Sequence, residues 1–155
     1  AAEKHGINPS RLIFAKGVPL TEHLARHRLA DLFLDTFPCN AHTTASDALW
    51  AGLPVLTLMG QSFASRVAAS LLSAMHLPEL ITTSLPDYEA LAIELAQNRQ
   101  KLAVLKQKLA TNRLTTPLFD TPQFTKGLEQ AYIQMYERYQ ADLPLSLSSL
   151  NKKPA

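Results

Sequence analysis

Apolar and polar positions fall into short alternating blocks along the chain, and the clearest block runs from Leu32 to Leu58. Leu32-Phe33-Leu34 reads as a strand closed by Asp35-Thr36, and a proline-containing loop follows. After the polar triplet His42-Thr43-Thr44, an amphipathic run from Ala45 to Ala51 is stopped by Gly52 and Pro54, and Pro54 to Leu58 is a second apolar strand. Strand, loop, helix and strand in this order make a βαβ unit. Parallel sheets bind ligands beyond the carboxyl ends of their strands, which is where His42, Thr43 and Thr44 fall.

The same reading extends in both directions. Arg11 to Ala15 is a strand by pattern, Lys16-Gly17-Val18-Pro19 a loop, and Thr21 to Leu29 a helix with Leu24 and Leu29 inward. Met59-Gly60-Gln61-Ser62 is a further strand-to-helix turn, followed by a helix from Phe63 to Met75 whose small residues suit close packing on a sheet. Leu80-Ile81-Thr82 is an edge strand. Ser84 to Asp87 caps a helix from Tyr88 to Gln97, and a break at Asn98 or Arg99 precedes a run to Asn112 carrying Leu102, Leu105 and Leu109. Thr121-Pro122 marks a turn before a helix from Thr125 to Gln140, whose stripe of Leu128, Tyr132, Met135, Tyr136 and Tyr139 predicts core packing. Periodicity ends at Leu143, so the expectation is one domain over residues 1–142 and a flexible tail over 143–155. Strands alternating with helices place the fold in the α/β class, a parallel sheet flanked by helices.

Composition narrows the function. The chain has 155 residues, 46% of them hydrophobic and 18% charged, which suffices for one buried core. A net charge of +2 argues against a nucleic-acid partner bound through phosphate neutralisation. No apolar stretch matches a bilayer span, and a single cysteine, Cys39, fits a cytoplasmic protein without internal disulfides. No Cys/His cluster has metal-ligand spacing. The chain opens on Ala1-Ala2-Glu3-Lys4-His5-Gly6, which reads as the end of a helix and suggests a piece of something longer.

The candidate site admits two readings. Thr43 and Thr44 at a helix start, with free amides and a dipole, suit a phosphate; Thr44 with Asp47 three residues on also resembles a plain capping box. Asp47 could accept hydrogen bonds from sugar hydroxyls or merely complement the dipole. His23 and Arg26 share a helical face on which a base could stack, or they form a solvated surface. Trp50 is expected in the core, and His5, His27 and His76 on the surface. Cys39 lies three residues before His42, and loop packing is its expected role rather than a nucleophilic dyad.

Three strings carry a resemblance: Cys39-Asn40-Ala41-His42-Thr43-Thr44, Asp47-Ala48-Leu49-Trp50-Ala51-Gly52-Leu53-Pro54-Val55 and Ala64-Ser65-Arg66-Val67-Ala68-Ala69-Ser70. Together with Thr115-Thr116-Pro117-Leu118-Phe119 and Tyr132-Ile133-Gln134-Met135-Tyr136-Glu137, they resemble the O-linked N-acetylglucosamine transferases of glycosyltransferase family 41, and the bacterial SPINDLY-like members look closest. The resemblance implies part of the C-terminal, donor-binding half, a Rossmann-like domain, of a two-domain GT-B-type enzyme that moves N-acetylglucosamine from UDP-GlcNAc to Ser or Thr of a protein acceptor. It implies no metal or other cofactor. It places the acceptor-side half, tetratricopeptide repeats, and a lysine and glutamine for the diphosphate outside this chain, which alone would be inactive. By resemblance, Val18 reads the uracil through its backbone, His23 and Arg26 pack around the base and Asp47 holds the ribose. Thr43 and Thr44 hold the diphosphate, and His42 and Cys39 line the sugar end. Leu20 departs from the lysine found in animal members. Plant SPINDLY relatives use GDP-fucose, which leaves an O-fucosyltransferase as one alternative and a non-catalytic interaction module as another.

Overall fold

Among the described residues one short strand is buried on both faces, and the core is layered around it. In the computed structural model, which describes residues 2–144, this strand is β2, Val55–Leu58, with all four residues buried. Such a run, apolar except for Thr57, is what a strand covered on both sides requires. It pairs in parallel with β1, Phe33–Leu34, on one side and β3, Ile81–Thr82, on the other, in the order β1-β2-β3. Phe33 stands opposite Val55 and Thr57 opposite Ile81. The α/β class and the parallel sheet flanked by helices expected from the pattern are therefore present.

The helices are α1 (Leu20–Arg26), α2 (Thr43–Ala51), α3 (Val67–Ala74), α4 (Leu85–Gln97), α5 (Arg99–Thr115) and α6 (Thr121–Gln140). The core joins Ala45, Ala48 and Leu49 of α2, Ala68 and Leu72 of α3, Leu95 of α4, and Leu105 and Leu109 of α5 around Val55. Gly52 ends α2 in the left-handed region at φ +86°, a conformation that carries no penalty without a Cβ. The Ser84 hydroxyl accepts from the Asp87 amide to start α4. Asn98 breaks the chain between α4 and α5 as expected, its Oδ1 accepting from the Lys101 amide at 2.9 Å.

Several expectations are corrected. Arg11–Ala15 is not a strand: beyond a 3₁₀ turn at Pro9–Arg11 it runs unpaired, and Ile13 and Phe14 are each 89% exposed, because no neighbouring strand lies beside it. The helix expected over Thr21 to Leu29 tightens into a 3₁₀ turn at His27–Leu29. That change of pitch turns Leu29 outward and buries His27, whose Nδ1 meets the His23 carbonyl at 2.8 Å. The helix expected over Phe63 to Met75 is split at Arg66, because the Ser65 carbonyl bonds back to the Gly60 amide instead of propagating the helix. Trp50 is half exposed, edge-on to Phe119 at 5.0 Å and beneath the Arg113 guanidinium. Helix α6 begins at Thr121, capped by Asp120, and has no buried residue; its aromatic stripe lies on the surface because no other described element covers it. The tail expected over 143–155 falls largely outside the described residues.

Tyr88 of α4 donates its hydroxyl to the Asp35 carbonyl at 2.9 Å. Burial, and secondarily the negative charge of Asp35, push its phenol pKa upward. A folded-state pKa above the unfolded one adds stability that is complete below about pH 10 and is lost as the pH rises through the folded value. Denaturation curves between about pH 9 and about pH 11.5 should therefore show a loss that Tyr88→Phe diminishes.

Candidate functional site

The loops leaving the carboxyl ends of β1 and β2 meet at the start of α2. Asp35 organises the first. Its buried carboxylate accepts from the Thr36 amide at 2.8 Å, the Ala41 amide at 2.6 Å and the Thr57 hydroxyl at 2.6 Å. Asn40, also buried, ties the loop inward: its side-chain amide donates to the Thr36 and Leu58 carbonyls, and its backbone amide to the Ala64 carbonyl at 2.8 Å. The Thr36 hydroxyl closes the loop on the Cys39 carbonyl. The segment entering α2 is thus pinned to β1, to β2 and to the turn beyond it, so the helix end is presented in one orientation.

That helix end is uncapped. Its N-cap is His42, which makes no side-chain cap hydrogen bond, and the first helical bond joins the Ser46 amide to the His42 carbonyl. The capping box expected from Thr44 and Asp47 does not form, because the helix starts at Thr43 and places Thr44 inside its first turn. Among the described residues the Thr43 and Thr44 amides have no acceptor, and both side chains are exposed. Unpaired amides at the positive end of a helix dipole attract an anion. Asp47, one turn further and half-buried, makes no hydrogen bond or ion pair among the described residues.

The other expected residues lie on α1 and on the loops that precede the two helices. His42 is exposed and meets Phe63 edge-on at 6.1 Å; Phe63, 82% exposed, borders the site and carries no signal in the hydrophobic pattern. Cys39 is exposed and has no contact with His42 that would make a dyad; its thiol reaches only the Asn40 carbonyl. His23 and Arg26 do share a face of α1, with Nδ1 and a guanidinium nitrogen 2.6 Å apart. Arg26 also donates to the Lys16 carbonyl at 2.9 Å, which folds the loop carrying Val18 back onto α1, and α1 packs against α2. Leu20, first residue of α1, is 65% exposed.

Sequence reasoning does not single out Asp35 and Asn40. The available signal is an acidic residue closing an apolar strand, with a lone hydroxyl, Thr57, inside the next one. Gly60 is fixed just as specifically, since a Cβ there would stand 2.5 Å from the Ser65 hydroxyl oxygen and 2.8 Å from its Cβ. Ser65 is short and buried, so it cannot move aside. Gly60→Ala should cost about 1–3 kcal/mol in a urea titration, while Gly17→Ala, with open space around it, should cost less than about 1 kcal/mol.

A cavity of about 580 Å³ lined by Met59, Phe63, Arg66, Val67 and Ser70 adjoins the site on the β2 side. Among the described residues no group of three His, Cys, Asp or Glu side chains is placed to hold a metal ion. No described helix is long and apolar enough to cross a membrane.

Comparisons with known proteins bear on the family and the fold. The model of glycosyl transferase family 41 matches residues 1–128. The chain is 45% identical over 136 residues to a probable UDP-N-acetylglucosamine–peptide N-acetylglucosaminyltransferase, SEC, of Arabidopsis thaliana, covering 87% of this chain and 14% of that protein. It is 38% identical over 142 residues to the UDP-N-acetylglucosamine–peptide N-acetylglucosaminyltransferase of Caenorhabditis elegans, covering 92% of this chain and 12% of the relative. A mutant O-GlcNAc transferase from Thermobaculum terrenum superposes with a TM-score of 0.81 at 35% identity, covering 86% of this chain and 26% of that one. The chain therefore spans a small part of the length of its relatives. With a family match over most of its residues and the same fold at this identity, the chain belongs to glycosyl transferase family 41.

Proposed function

We propose that this chain is the donor-binding part of an inverting glycosyltransferase that moves N-acetylglucosamine from UDP-GlcNAc to Ser or Thr hydroxyls of a protein. The observation that carries the reading is the uncapped start of α2, with the Thr43 and Thr44 amides and hydroxyls facing outward on a loop fixed by Asp35. A diphosphate fits those donors. Asp47, with its carboxylate free, takes the ribose hydroxyls. The base lies against His23 and Arg26 and is read by the backbone at Val18. His42 and Cys39 flank the sugar end.

The chemistry follows from that placement. The acceptor hydroxyl attacks the anomeric carbon and releases its proton to water, the bond from that carbon to the diphosphate oxygen breaks, and negative charge grows on the departing diphosphate. Fixed amides at a helix start stabilise that charge without reorganising, so they favour the transition state over the ground state. No metal is required where such donors, with cationic side chains from the rest of the polypeptide, neutralise the diphosphate. Leu20 contributes no hydrogen bond to the ribose, so Asp47 bears more of that contact here. The rest of the catalytic region and its tetratricopeptide repeats would bring the acceptor, and the parent would work in the cytoplasm.

Calorimetric titration of the parent polypeptide with UDP, UDP-GlcNAc and GDP-fucose tests this. Tight binding of UDP and UDP-GlcNAc supports the reading. Preference for GDP-fucose moves the protein to the O-fucosyltransferase class, and no binding of any of the three makes it an interaction module.

A further inference from the structure

His27 is a buried histidine with no part in the binding scheme above, yet its surroundings tie it to a residue that has one. The 3₁₀ turn that carries it packs on α2. Its Nδ1 lies 2.8 Å from the His23 carbonyl, which can only accept, so Nδ1 carries a proton and donates. That bond spans one turn and holds the imidazole across the end of α1. The ring held there meets the His23 ring edge-to-face, with centroids 4.8 Å apart and planes at 87°. His23 is fixed from a second side as well. Arg26 has only donors, so the His23 Nδ1 that lies 2.6 Å from its guanidinium supplies the lone pair, and the ring proton of His23 sits on Nε2. Arg26 is held in turn by the Lys16 carbonyl at 2.9 Å.

We propose that His27 is a positioning residue for the nucleotide: its ring backs His23 and, with Arg26, holds that imidazole in one orientation and one tautomer before the base arrives. This role rests on the reading of α1 as the face that receives the base, and His27 itself touches no part of the donor. A side chain ordered in advance does not have to be immobilised on binding, which is worth about two- to tenfold in affinity. A merely structural role would have the same hydrogen bond secure the end of α1 and the ring fill space beside α2. The two roles are separable because different parts of the imidazole make the two contacts. Nδ1 holds the helix end, and the ring meets His23.

Calorimetric titration of the parent polypeptide with UDP separates them. His27→Asn keeps an amide donor near the place of Nδ1 and removes the ring, whereas His27→Phe keeps a ring and removes the donor. Positioning predicts that His27→Asn weakens UDP binding about three- to tenfold, that His27→Phe restores affinity to within about twofold of the unsubstituted parent, and that His27→Asn causes no further loss once His23→Ala is present. Affinity that falls in His27→Phe and is kept in His27→Asn, or that falls equally with and without His23, would overturn the proposal and leave His27 as a support of the helix end. His23→Ala separates this failure from that of the underlying reading. If His23→Ala leaves UDP affinity unchanged, the base does not lie on α1 and both fall; if it weakens binding while His27→Asn does not, only the role of His27 is lost. His27→Leu, which fills the buried site without a ring, should show the same loss and keeps the test standing where His27→Asn fails to fold.

Discussion

Asp35→Ala lowers the unfolding free energy of the chain by about 3–4 kcal/mol, the largest loss expected of any single substitution in the loop region. Three donors lose their acceptor together, namely the amides of Thr36 and Ala41 and the hydroxyl of Thr57. Thr57 is fully buried, so water cannot replace the carboxylate there. Hydrogen bonds to a charged acceptor each contribute about 1.5–3 kcal/mol, and their sum is reduced by relaxation of the exposed part of the loop. Urea denaturation of Asp35→Ala against the unsubstituted chain measures it. A loss below about 1 kcal/mol would mean that the loop is held by its other contacts, chiefly Asn40. Asp35→Asn should fall between the two, since the amide keeps one accepting oxygen but turns a donor toward one of the three groups.

On the donor site proposed above, Asp47→Ala should weaken UDP binding by the parent polypeptide about ten- to a hundredfold, and Thr43→Ala about tenfold, with little change in stability for either. The affinity loss corresponds to one or two charge-assisted hydrogen bonds at Asp47 and one neutral bond at Thr43, since about 1.4 kcal/mol is a factor of ten. Stability stays within about 0.5 kcal/mol because neither side chain makes a hydrogen bond to the rest of the described protein. That separation distinguishes a ligand group from a cap: loss of a capping residue would cost about 1 kcal/mol of stability and leave affinity to follow. Calorimetry with UDP and a urea titration of the same proteins read both quantities. Unchanged affinity in both variants would remove these residues from the site.

The two predictions fall on residues that differ in how visible they are along the chain. Thr43, Thr44 and Asp47 stand out in the sequence because they open an amphipathic run just after an apolar strand. Asp35 does not, because its work depends on Thr57, twenty-two positions away in sequence and brought alongside only when β1 pairs with β2. The expectation of a cap at Thr44 fails for a similar reason. Whether a threonine caps a helix or lies inside its first turn depends on a shift of one or two residues in the helix start, and here the loop anchored by Asp35 sets that start at Thr43. The stripe of α6 predicts core packing yet lies on the surface, since periodicity reports that a face is apolar and carries no information about what covers it.

The sequence by itself determined the α/β class, the positions of β1, β2 and β3, the cap at Ser84, the helix break at Asn98 and the inward Leu102, Leu105 and Leu109, because each depends on local pattern or on the spacing of apolar residues. The motif strings determined the family. Only the tertiary structure decided that α2 is left uncapped, that Asp35 and Asn40 hold its entry loop, that His27 turns inward and Leu29 outward, and that Arg11–Ala15 has no partner strand. Each of those outcomes depends on contacts between segments distant along the chain, where burial and hydrogen-bond satisfaction outweigh local propensity.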